Sequence, residues 1–447
     1  MSAPVLAPPA DPPQRPGRLT ELNELARTTP GLLTLLTVVL VAVSVLVGVF
    51  SAISVQARVT ALDDLTTRSG PLSVAAQEIY RSLSDADATA TSAFLAGGEE
   101  PADQRARYQT DIAQAENALA IAVAAREPAD VTAAGSPLAT LSSQLSVYTG
   151  LVETARANNQ QGLPVGAAYQ REASNLMRTQ LLPAAGELYR AETAQVAADQ
   201  DAAGGFPFLE ILLGVIALAA LIMGQVFLRR STNRVFNVGL VVATAAALVS
   251  LLWTIVATVG VMTNVGQSRD SGSVKVEQLA QARIATLTAR SDETLTLVAR
   301  GSGAKFEEDY VKVAERLGGK DGSGGLLGAA SAAAIDEATR GHVDAAQQAW
   351  GQWADVHRQI RAADDGGTYT QAVQLAIGPQ DNGATARFDQ VDKELSQAIA
   401  RTTQRFNDEV SQAGNAVTGT VIGIILLAVV MAAGAVAGIW QRLKEYR

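Results

Sequence analysis

Four long uncharged runs set the limits on what this chain can fold into. Residues 28–57 make 30 consecutive positions without a charge, 211–228 make 18, 235–268 make 34 and 410–441 make 32. A helix needs about 20 apolar residues to cross the hydrocarbon core of a bilayer. Each run meets that length, the second with help from Phe206, Pro207 and Phe208 just before it. The first run is too long for the apolar core of a signal peptide and has no small-x-small cleavage site, so it reads as a retained anchor. With 48% hydrophobic and 18% charged residues, and no convincing strand pattern, the expected fold is an all-α membrane protein with four transmembrane helices.

The charges beside the runs set the expected orientation. Arg229, Arg230 and Arg234 occupy the short turn between runs two and three, Arg442, Lys444 and Arg447 the C-terminal tail, and Arg15, Arg18 and Arg27 the N-terminal flank. Lys and Arg concentrate on the cytoplasmic side of short loops, which places both termini and this turn in the cytoplasm and the protein in the plasma membrane. With those pieces and Glu210 set aside from the total of −9, the two long polar regions carry −13, an acidic exterior that argues against nucleic acid as a partner. The expected order is a Pro-rich tail (1–30), spans at 31–53, 206–228, 235–263 and 417–440, a cytoplasmic turn at 229–234, extracytoplasmic regions at 54–205 and 264–416, and a tail at 441–447. Glu210, the sole ionisable residue within a span, is expected to snorkel to the outer interface.

The chain is also written twice. Leu83 to Gly97 aligns with Leu287 to Gly301 at an offset of 204, and Tyr148 to Gly162 aligns with Trp353 to Gly367 at 205. In the first copy Leu72, Ala76, Ile79, Leu83, Ala86, Ala90 and Ala93 alternate spacings of four and three, as do Leu138, Leu141, Leu145, Tyr148, Val152 and Ala155. That period keeps one stripe against a neighbouring helix. Breaks at Gly70-Pro71, Gly97, Pro101, Gly162 and Pro164 cut the first polar region into four helices, with a kink at Pro183. Gly301, Gly318 to Gly325, Gly366-Gly367 and Gly378-Pro379 interrupt the second. Short loops then predict two tandem extracytoplasmic antiparallel four-helix bundles, an internal duplication, with each first and fourth helix continuous with a span.

Little in the sequence points to reaction chemistry. His342 and His357 are 15 apart, without ligand spacing for zinc, cysteine is absent, and Gly318 to Gly325 lacks the ending of a phosphate-binding loop. No catalytic residue, metal or cofactor is expected, and the chain does not read as an enzyme. Trp350, Trp353 and His357 share a helical face, which serves either as a bulky core or as a small-molecule pocket and pH-responsive position. The turns carrying Glu99, Glu100, Asn158, Asn159, Asp364 and Asp365 are either solvated turns or a docking surface for an external partner. Arg229, Arg230 and Arg234 offer a cytoplasmic contact or meet anionic lipid. Gly419, Gly423, Gly434 and Gly438 permit close packing of the last span.

Paired spans bracketing a four-helix bundle resemble the sensor module of chemotaxis receptors and many histidine kinases, although no methylated hairpin, phosphotransfer helix or cyclase follows here. Two such modules in tandem, with almost no cytoplasmic mass, resemble the GlnX-type membrane proteins of actinobacteria in layout and length. That resemblance implies a signal transducer: an extracytoplasmic amino-acid-binding lipoprotein (GlnH) acts on it, and it signals to the cytoplasmic Ser/Thr protein kinase G. A non-sensing cell-envelope scaffold and a transporter accessory subunit remain alternatives at this point, and a homodimer is compatible with all three.

Overall fold

The computed structural model describes residues 29–444, apart from 98–99, 127, 129–130, 132, 134, 233–236, 321 and 379. The described residues form helices without a strand, and four of the long helical runs are apolar enough to cross a membrane. The protein is thus an all-α, multi-pass membrane protein. Two compact units are present, a membrane unit (residues to 57, 206–260 and from 417) and a polar unit (58–205 and 261–416).

In the membrane unit the spans lie in α1 (Thr29–Thr67), α7 (Phe208–Thr232), α8 (Val238–Gln267) and α15 (Thr420–Leu443). Leu33 and Leu40, Leu221 and Leu228, Leu240 and Ala243, and Met431, Ala435 and Ile439 meet in one core. Glycine decides how closely α8 and α15 approach. A Cβ on Gly239 would lie 2.5 Å from the Gly434 carbonyl oxygen, and one on Gly438 would lie 3.0 Å from the Leu240 nitrogen. A Cβ on Gly423 would lie 3.2 Å from the Trp253 ring. Gly419 differs from expectation: with φ at +76° and nothing beside it, it breaks the helix before α15 rather than packing a span. Glu210 also departs from the snorkelling expectation. It is 7% exposed, accepts a hydrogen bond from Ser54, and shares a cavity of about 20 Å³ with Ser51, Ser250 and Thr254. Hydroxyl-bearing helices around it supply the polar contacts that a buried carboxylate needs.

In the polar unit, copy one contains α2 (Ser69–Leu95), α3 (Ala102–Ala124), α4 (Pro137–Gln160), α5 (Val165–Leu176) and α6 (Leu182–Gly204). Copy two contains α9 (Val274–Val298), α10 (Ala304–Gly318), α11 (Gly325–Ala332), α12 (Glu337–Asp365), α13 (Tyr369–Ile377) and α14 (Ala384–Val417). The repeat survives in backbone detail. Gly97 and Gly301 end the first helix of each copy at φ +83° and +84°, and Gly162 and Gly367 follow the corresponding helices α4 and α12 at +67° and +79°. A left-handed residue at that position closes a helix, and glycine adopts it without steric cost. The bend expected at Pro183 takes the form of a π-helical turn, Met177–Leu181, between α5 and α6. Proline removes an i→i−4 donor and crowds the preceding carbonyl, and a widened turn absorbs both.

Two features depart from the sequence expectation. The two copies cluster into one polar unit, with α2 packed on α9. The outgoing helices are also not continuous with their spans: residues 205–207 interrupt α6 and α7, and Thr418-Gly419 interrupts α14 and α15. Pro207 and a left-handed glycine are the local causes. The incoming helices continue instead, α1 to Thr67 and α8 through a π turn (Ser268–Ser273) into α9.

Candidate functional site

The polar unit has its most unusual chemistry where the copies meet. Every residue from Ser82 to Ala93 of α2 is buried, and so is every residue from Ala289 to Ala299 at the end of α9. A helix that packs only within its own bundle keeps a solvated face. These two bury all faces because each also packs against the other. Small side chains (Ser82, Ser84, Ala86, Ala88, Thr89, Ala90, Thr91 and Ser92 in α2) permit that approach, and they bring polar groups into the seam.

Asp87 and Ser291 occupy equivalent positions in the duplication, 204 apart, and touch each other. The Ser291 hydroxyl donates to Asp87 Oδ2 at 3.1 Å, as Ser174 and Tyr148 donate to Oδ1 at 2.9 and 3.3 Å. Contact between equivalent positions marks the neighbourhood of a local two-fold axis. Around it, one kind of ion pair is made twice with the signs exchanged. Arg107 of α3 reaches Asp389 of α14 at 2.8 Å, while Arg178 of copy one reaches Asp309 of α10 at 3.5 Å. Arg107 and Asp309 each stand five residues after the start of their helix, at Ala102 and Ala304. Each arginine also holds a buried carboxylate of a first helix: Arg107 holds Asp85 at 3.0 Å, and Arg178 holds Asp292.

Burial pushes the pKa of Asp87 above the usual carboxylate range, against three hydroxyl donors that pull it down. Burial likewise raises Asp85 against the Arg107 charge, and Asp111 rises through burial and the neighbouring Asp85. Asp292 is carried by burial to about 6 despite Arg178. In all four, burial outweighs the nearby cations and hydroxyl donors and favours the protonated carboxyl.

Copy two contains a second cluster. Trp350, Trp353 and His357, predicted to share a face, are all buried along α12. Glu293 of α9, whose side chain is 0% exposed, accepts from Arg290 at 2.9 Å, Trp353 Nε1 at 3.1 Å and His357 Nδ1 at 2.9 Å. His357 Nε2 lies 3.2 Å from Glu307, and the Tyr310 ring stacks on the imidazole at 3.6 Å. Burial pulls the His357 pKa down, but the two carboxylates outweigh it and carry it to about 9. The imidazole therefore stays protonated through neutrality, and its titration lies on the alkaline side of the range a neutral-pH sensor would use.

These shifts fix a pH dependence. Asp85, Asp87, Asp111 and Asp292 bind protons more tightly folded than unfolded, so their contribution to stability declines as pH rises from about 4 toward neutrality. His357 adds a contribution that is complete below its unfolded pKa of about 6.5 and lost as pH rises through 9. Glu78, Glu307 and Asp336, with lowered pKa values, act only as pH falls below the ordinary carboxylate range. Melting temperature is thus expected to fall steadily from pH 5 to pH 9, measured by near-ultraviolet circular dichroism. A rise over that interval would contradict the assignment.

The remaining candidates are placed as follows. Glu99 and Arg234 lie outside the described residues, as do residues 1–28 of the N-terminal tail and 445–447 of the C-terminal one. Glu100 turns inward to Arg156 at 2.6 Å, and Asn159 Nδ2 donates to the Phe94 carbonyl at 3.0 Å, closing the end of α2. Asn158 bonds back to Thr154 at 2.8 Å. Asp364 pairs with Arg361 at 2.7 Å, and Asp365 pairs with it too but stays 70% exposed. Most of these turn side chains are thus occupied in closing helix ends. Arg229 and Arg230 are exposed in the last turn of α7, where cations complement the helix dipole. Sequence reasoning missed Asp87, Arg107, Arg178, Arg290, Asp292 and Glu293. The available signal was a run of small residues carrying Asp85 and Asp87 without any solvated face of long charged side chains.

Residues 61–201, which lie in copy one, match the family model described as an actinobacterial sensor domain. Together with the four candidate spans, this supports a membrane sensor. Comparison with curated proteins and with solved structures gave no match.

Proposed function

We propose that this protein is a non-enzymatic transmembrane signal transducer. In this reading the polar unit lies outside the plasma membrane, the termini lie in the cytoplasm, and the seam between the copies is the element with two arrangements. The observation that carries the proposal is the α2–α9 seam. Hydroxyl and ion pairs there join the copies alongside the apolar contacts of Ala280 and Leu95, where a rigid spacer needs the apolar contacts alone. A packed interface with discrete pairings switches between states rather than deforming smoothly. A signal shifts it only if the incoming partner binds the two states unequally.

The resemblance to GlnX-type proteins supplies the partners: an amino-acid-binding lipoprotein outside, and a cytoplasmic Ser/Thr kinase that receives a nutrient signal. Transmission runs through α1 and through α8 with its π turn, because these helices continue from span to polar unit. The outgoing connections at 205–207 and Thr418-Gly419 act as joints. Affinity purification of the intact protein in mild detergent, followed by mass spectrometry, tests the reading. Recovery of a solute-binding lipoprotein and a Ser/Thr kinase is the expected result. Recovery of wall-synthesis or division proteins alone would support a scaffold, and a permease alone would support a transporter accessory role.

A further inference from the structure

A groove of about 680 Å³ opens between α10 and α12 of copy two, within the size range of small-molecule sites. Its floor is aromatic, made by Tyr310, Trp350 and the imidazole of His357. One wall is kept low by Gly351 and Ala354. Gly318 lets the end of α10 lie against the Trp350 indole, where a Cβ would come within 2.9 Å of Cδ1. The Tyr310 hydroxyl is buried without a hydrogen-bond partner among the described residues, in a residue only 4% exposed.

The charges lining the groove come in both signs. Arg358 sits beside Asp355, and Arg361 lies 3.4 Å from Glu307. Lys320 and Glu315 complete the lining charges. An acid alone meets three carboxylates there, and a base alone meets Lys320, His357 and two arginines. A molecule bearing both charges satisfies both sets. The first copy has not kept this arrangement: at an offset of 205 the equivalents of Trp350, His357 and Arg358 are Leu145, Val152 and Glu153.

We propose that this groove binds a small amphoteric molecule, one that carries a carboxylate and an amine on an apolar or aromatic body. The aromatic floor takes the body, Arg358 and Lys320 take the carboxylate, and Glu315 and Asp355 take the amine. The proposal goes beyond the relay reading and needs no partner protein, so either can fail without the other.

The test is calorimetric titration of the full chain in detergent with three probes that share a body: L-phenylalanine, phenylacetate and phenethylamine. L-phenylalanine is expected to bind saturably, and the two singly charged probes at least about tenfold more weakly. Arg358→Ala, at an exposed position, should weaken phenylalanine and phenylacetate but not phenethylamine, whose amine then meets an Asp355 freed of its partner. Gly351→Leu, where a Cβ meets nothing within 4 Å, fills the groove without a clash and should abolish binding while the melting temperature is retained. Absence of phenylalanine binding would overturn the proposal. So would equal binding of all three probes, or binding that survives Gly351→Leu.

Discussion

Replacing Glu293 with glutamine is expected to destabilise the polar unit by about 3–5 kcal/mol, the usual cost of breaking a buried ion pair from one side. The substitution keeps the shape of the side chain and removes its charge. Arg290, whose side chain is 4% exposed, then has only neutral acceptors, the Ala376 carbonyl at 3.0 Å, the Thr385 hydroxyl at 2.9 Å and the amide oxygen of the new glutamine, which cannot also serve Trp353 and His357 on the other side. His357 loses one of the two carboxylates that hold its proton, so burial regains influence over its titration. Thermal melts and hydrogen exchange of α9 and α12 would read the loss. Double replacement, Arg290→Met with Glu293→Leu, should recover only the part due to the stranded Arg290 charge, because Trp353 Nε1 and His357 Nδ1 still lose their acceptor. A loss under about 1 kcal/mol for the single variant would show that Glu293 does not organise this core.

Arg178→Ala should have the second largest effect, about 3 kcal/mol near pH 8. Arg178 joins copy one to Asp292 and Asp309 of copy two, and its guanidinium lies 5.6 Å from the centre of the Phe306 ring. The Asp292 side chain is 0% exposed, so without Arg178 it is a buried charge whose main counter-ion is gone. The deficit should shrink at pH 5. Asp292 already titrates near 6, and losing the nearby cation raises it further, so at pH 5 the carboxyl is neutral and no longer needs the arginine. Wild type and variant are compared by melting at both pH values. A deficit that is the same at each would mean that Arg178 acts through packing on Phe306 rather than through Asp292.

The parts of this structure legible in the sequence are those set by local pattern. Uncharged length fixed the four spans, and the glycine turns at Gly97, Gly162, Gly301 and Gly367 marked helix ends because backbone sterics act locally. The stripe through Leu138, Leu141, Leu145 and Tyr148 gave the buried face of α4 for the same reason. Period analysis finds one face per helix, however, and α2 buries all of them. Nothing in the spacing of Ser82 to Ala93 says that a segment 204 residues away will cover the remaining side. The pairing of Asp87 with Ser291 is a tertiary fact, visible only once the duplication is read as a two-fold contact rather than as two modules in a row. His357 shows the same limit. Its helical face was plain, but the carboxylates that hold its proton come from α9 and α10.

The proposed relay requires the seam between the copies to switch. It is tested most directly by fixing that seam. The chain has no cysteine, so the pair Asp87→Cys and Ser291→Cys introduces the only thiols, at two side chains that meet across the seam, and formation of the disulfide is verified on a non-reducing gel before the readout. Under the proposed relay, the readout is substrate phosphorylation by the Ser/Thr kinase in cells, with and without external amino acid. The account predicts that the oxidised protein gives one fixed output whether or not the amino acid is present, and that reductant restores the response. An unaltered response in the fully cross-linked protein would contradict it.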